Sequence, residues 1–160
     1  MKYFALLIFL IQNTCSLYSK DQIAEVSYYD SNSKMHLSNF PYYIDTSRIQ
    51  YGVKFGVTVY EIKVSECNLE IPEDMEEYFA AYLRIPDECD VQELLKEIEN
   101  HGADFIFLDL RDHFDFDRIQ SNKHQNPVFV LDNTQQEEFF NFNDTKNGKR
   151  YVTIFFHMVS

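Results

Sequence analysis

The chain has 160 residues, 45% of them apolar and 16% aromatic, which suits one folded domain and excludes global disorder. Its 14 basic and 26 acidic residues give a net charge of -12, which repels nucleic acid and anionic lipid. Such a surface suits a cationic partner, divalent ions or plain solubility. With only four Gly and four Pro, turns fall to Asn, Asp and Ser.

The opening "MKYFALLIFLIQNTCSLYSK" places Lys2 before an apolar run from Tyr3 to Ile11 and then small polar residues. That layout predicts a secretory signal peptide over residues 1–16, with Thr14 and Ser16 at the -3 and -1 places of a cleavage site before Leu17. The alternative is a retained anchor, although the run is shorter than the roughly 20 residues of a comfortable span. After cleavage no membrane span is expected. Residues 17–50 read as an N-terminal strand and loop segment, broken at "DSNSK" and "NFPYY". Residues 51–160 read as the main domain.

In "YGVKFGVTVYEIKV" the residues Val53, Phe55, Val57 and Val59 alternate on one face, and then Tyr60, Ile62 and Val64 take over. The change of phase predicts a bulge or a strand passing between two packed surfaces. "EDMEEYFAAYLRI" fits a helix or a strand equally well and ends before Pro86. "CDVQELLKEIENHG" is less ambiguous: Asp90 can cap a helix, with Glu93 completing a capping box. Val91, Leu94, Leu95 and Ile98 form its apolar stripe, and Gly102 stops it. "DFIFLDL" then predicts a buried strand. After a polar loop, "PVFVL" is a second one. "DNTQQEEFFNF" predicts a short helix with Thr134 and Glu137 as its capping box, and "RYVTIFF" a closing strand. The order predicts an α/β, or mixed α+β, arrangement with helices over a partly parallel sheet.

Three cysteines are present, Cys15, Cys67 and Cys89, and removal of the leader discards the first. The remaining pair predicts a disulfide in an oxidising compartment, worth about 3 kcal/mol by loop entropy. Two buried thiols are the alternative; a zinc site lacks partner ligands at suitable spacing. Asn143, in "NDT", is the one glycosylation sequon and so the candidate glycan site of a glycoprotein.

The densest polar cluster, "DLRDHFDFDR", carries Asp109, Asp112, Asp115 and Asp117 as candidate metal ligands. Their spacing lacks the glycine and distal glutamate of an EF-hand, so a solvated loop is the competing reading. His113 with Asp112 or Asp115 would make an acid–base pair, but no Ser or Cys nearby has a nucleophile signature. No catalytic residue and no cofactor is expected, and the protein is read as no enzyme.

The stretches "YFAAYLRIPDEC", "VQELLKEIENHGADFIFLDL" and "NPVFVLDNTQQEEFF" together resemble the protease-associated (PA) domain, as found in vacuolar sorting receptors and in transmembrane RING proteins. Arg84 matches the family's turn arginine, Cys89 its cysteine, Gly102 and Ala103 the helix end, and Cys67 the usual place of the partner cysteine. The glycine that normally follows the arginine is absent, and "IPDE" lengthens the turn. The resemblance implies a PA-like mixed β-sheet or open barrel flanked by two helices, and settles 78–85 as a strand. It also implies a non-catalytic module that binds protein or peptide in the secretory lumen, a vacuolar or endosomal compartment, or outside the cell. An accessory structural subunit of a larger lumenal or cell-surface assembly is the alternative, and a small hydrolase is disfavoured.

Overall fold

A computed structural model describes residues 23–43, 50–109, 126–131, 140–142, 145 and 148–157. The strands are β1 (Ile23–Tyr29), β2 (Met35–Tyr43), β3 (Lys54–Ser65), β4 (Asn68–Glu70), β5 (Phe79–Arg84), β6 (Phe105–Asp109), β7 (Val128–Leu131) and β8 (Lys149–Phe156). One helix among the described residues, α1 (Val91–Asn100), lies between β5 and β6.

The sheet order is β4-β3-β5-β6-β7-β2-β1-β8, and β8 also pairs with β3. That extra pairing closes a seven-stranded barrel, with β4 left outside it as a short flap on β3. The expectation of an α/β fold, with an open barrel between two helices, is therefore corrected. Among the described residues the protein is mostly β, 53% strand against 11% helix, and its barrel is closed. The physical reason is long-range pairing. Strands β3, β5, β6 and β7 run parallel, as helix-to-strand units imply. But β1, β2 and β8 fill the remaining arc with antiparallel pairs. The first two come from the 17–50 segment. Of the second expected helix, residues 132–139, including Thr134 and Glu137, lie outside the described residues, as does the signal segment.

Two cores follow from strand parity. Facing inward are Phe105 and Phe107 of β6, Phe129 of β7, Phe40 and Tyr42 of β2, and Phe156 of β8. Phe107 stacks on Phe129 at 4.7 Å, with Phe140 also 4.7 Å away, so side chains fill the interior. Facing outward from β5, β6 and β7, residues such as Leu83, Ile106, Leu108 and Val130 meet Leu94, Leu95 and Ile98 of α1. At about 2 kcal/mol per buried aliphatic side chain, those three helix residues contribute about 6 kcal/mol gross.

The change of phase in β3 has the second of its two explanations. Pairing with β8 and with β5 runs on in continuous register through Val59 and Tyr60, so no extra residue is inserted. Val57 and Val59 belong to the barrel interior, whereas Tyr60 and Ile62 belong to the outer core. The strand stays regular while the covered face changes.

Candidate functional site

Cys67 and Cys89 form a disulfide, with Cα atoms 5.3 Å apart. Cys67 sits in the two-residue turn between β3 and β4, where Ser65 pairs with Asn68. Cys89 immediately precedes the helix cap. Asp90 accepts hydrogen bonds from the N–H groups of Gln92 and Glu93, at 2.9 and 3.2 Å, which fixes the start of α1. The bond thus ties a hairpin tip to a helix N-terminus and brings their neighbours together.

Those neighbours are carboxylates. Glu66 adjoins one half-cystine; Asp87, Glu88 and Asp90 surround the other; and Glu93 stands on the first turn of α1. All are exposed. Glu70 on β4 and the connection carrying Glu73, Asp74, Glu76 and Glu77 extend the same acidic side, again exposed. Lys63, Arg84 and Lys96 are the exposed basic residues within Glu61–Asn100. Glu76 is anchored: its carboxylate accepts from the Thr58 hydroxyl at 3.0 Å, and its N–H donates to the Tyr60 hydroxyl at 3.2 Å. The result is a rigid acidic shoulder beside the helix.

The aspartate cluster divides. Asp109 ends β6 and is 2% exposed, accepting a hydrogen bond from the Tyr82 hydroxyl at 3.0 Å. It faces into the upper barrel, the end where the parallel strands finish, and is not a solvated loop residue. Parity contained this: in "DFIFLDL", Asp109 falls on the same face as Phe105 and Phe107. Asp112, His113, Asp115, Asp117 and the sequon residue Asn143 lie outside the described residues.

Sequence reading missed two other polar groupings at that end. Arg150, 8% exposed, lies with its guanidinium carbon 4.1 Å from the Tyr28 ring centre and donates to the Asn141 carbonyl at 3.2 Å. It shares its strand face with Val152 and Ile154, which was the available signal. His36 stacks on the same Tyr28 ring at 4.7 Å and donates from Nε2 to Asp30 at 2.9 Å. That bond, with the N–H groups of Lys34 and Asn32, holds the Asp30 carboxyl below its usual range. At the lower end, burial raises the Asp104 carboxyl although it accepts the Phe79 N–H at 3.1 Å.

No helix among the described residues is long and apolar enough to cross a membrane. The Cys67–Cys89 disulfide is compatible with a secreted or lumenal protein. No protein-family model matches the chain, and no curated protein matches it.

Proposed function

We propose that the chain is a non-catalytic binding module of the secretory pathway, and that its ligand is a protein or peptide segment carrying Lys or Arg. The observation that carries this reading is the crowding of exposed carboxylates around the Cys67–Cys89 bridge. An extended basic segment crossing the shoulder would meet carboxylates held by a disulfide, a tight hairpin and a capped helix. Such groups lose little freedom on binding. Strand addition, by contrast, has few places to occur, because barrel closure pairs most strand edges. The resemblance to protease-associated domains points to the same class of ligand.

The test is calorimetric titration of a Lys/Arg-rich peptide into the full chain at low and high salt. Affinity should fall steeply with salt, because screening reaches about 8 Å at physiological ionic strength. Glu88→Lys and Glu93→Lys should weaken it further. Salt-independent binding, or binding unchanged in both variants, would reject the shoulder as the site.

A further inference from the structure

The side of the barrel away from α1 is the opposite of the shoulder in character. Ile23, Tyr29, Met35, Leu37 and Tyr151 are all large, apolar or aromatic, and 44–70% exposed. They occupy outward positions on three adjacent strands, β2, β1 and β8. Register gathers four of them toward one end, with Tyr29 opposite Met35 and Leu37 opposite Ser27, while Ile23 lies at the far end of β1, opposite Pro41. Tyr151 lies flat across Gly56 of β3, where a Cβ would collide with its hydroxyl, so the wall stays level.

This wall is also nearly free of net charge. Its outward ionisable groups are Glu25, which faces His157 at 3.8 Å, and Lys149 at the upper rim. The excess acid of a chain carrying -12 therefore sits elsewhere, and among the described residues it sits on the shoulder.

We infer that this wall is a self-association surface whose occupant is a second copy of the chain, docked face to face about a twofold axis. In such a contact every patch meets itself or its symmetry mate. A strongly acidic surface is self-repelling, whereas a neutral apolar one is self-complementary. Two copies meeting through β2, β1 and β8 keep the carboxylates of α1 and the Cys67–Cys89 bridge out of the contact, with Glu76, bonded to Thr58 beside Tyr151, at its edge. A dedicated basic partner, the ligand class proposed above, has no electrostatic reason to prefer this wall.

Size sets the strength. Three strands at about 4.8 Å spacing and about seven residues at about 3.4 Å give a footprint of roughly 350 Å² in projection. That is under half of the roughly 800 Å² per partner of a standard interface, so the dimer is weak and concentration-dependent.

Sedimentation velocity of the full chain from low micromolar to millimolar concentration tests this. The expected result is a mass rising from one chain toward two, with high salt leaving the association intact or strengthening it as residual repulsion is screened. Leu37→Asp should abolish the rise, because it sets like charges in the contact of both copies. Met35→Lys, on an exposed hairpin position, serves if Leu37→Asp misfolds by circular dichroism. Glu93→Lys, on the shoulder, should leave association unchanged. A wild-type chain that stays monomeric throughout overturns the inference, which would leave the wall to a different protein. Dimers that persist in both wall variants overturn it as well, by placing the contact elsewhere.

Discussion

Removing the disulfide is the most informative perturbation of stability, because two separable effects meet at Cys67. In Cys67→Ala/Cys89→Ala the unfolded chain regains the freedom of a 22-residue loop. The loop-entropy relation makes that worth about 3.4 kcal/mol, a large part of a domain's typical 5–15 kcal/mol. The second effect is local. Glu66 and Cys67 hold φ of 50° and 59°, so both central turn residues are left-handed without being glycine. That conformation costs about 1–2 kcal/mol per residue, and hairpin turns of this kind favour Asn-Gly. While the bridge is present the fold imposes the turn; without it the cost remains but the constraint is gone. Adding Glu66→Asn with Cys67→Gly to a Cys89→Ala chain should therefore recover about 1 kcal/mol relative to the double alanine variant, after glycine's greater unfolded-state freedom is charged. Urea denaturation followed by circular dichroism reads both differences. The slope should also rise when the cross-link goes, since a less compact unfolded state exposes more surface. A loss below about 1 kcal/mol for the double alanine variant would refute the loop argument, and no recovery with Asn-Gly would refute the turn argument.

Leu95→Ala should cost about 2–5 kcal/mol in the same assay, because Leu95 is 2% exposed between α1 and the sheet; a near-neutral result would mean the stripe faces water. Asp104→Asn keeps an acceptor for the Phe79 N–H and removes a carboxylate that burial disfavours, so it should be neutral or stabilising near pH 7, whereas Asp104→Ala should cost about 1–3 kcal/mol. Asp30 has a folded-state pKa below its unfolded one, so its contribution is complete above the ordinary carboxylate pKa and is lost as pH falls through the depressed value. Thermal melts across the acid range should therefore lose part of their pH dependence in Asp30→Asn, and an unchanged acid limb would count against the His36 contact.

Local signals in the sequence were sufficient wherever one element decides its own structure. Asp90, the stripe and Gly102 mark α1 because capping and 3.6-residue periodicity are local, although Val91 proves only partly buried. "YFAAYLR" was ambiguous for a reason now visible: Phe79 to Leu83 are buried on both faces, the even residues in the barrel and the odd ones beneath α1, so no single periodicity emerges. Barrel closure was not legible. It depends on Lys54–Tyr60 finding Lys149–Phe155 across most of the chain, and nothing local distinguishes a stave from the edge of an open sheet. The acidic shoulder was half legible, since the carboxylates are plain in the sequence but their convergence depends on which turn Cys67 occupies. The apolar wall was hidden because Met35 and Leu37 read like ordinary strand residues until the side of the barrel covered by α1 is known.

The place of β8 in the barrel also governs when the protein can be finished. A nascent chain emerges N-terminus first, yet β8 is the stave that joins β1 to β3. Until its eight residues are released from the ribosome, two strand edges stand open and the phenylalanines of β2, β6 and β7 line a trough, not a sealed interior. Closure of the barrel therefore waits until β8 has emerged. During that interval the half-built trough is an aromatic surface that chaperones of the compartment, or another nascent copy, can occupy before the final stave does.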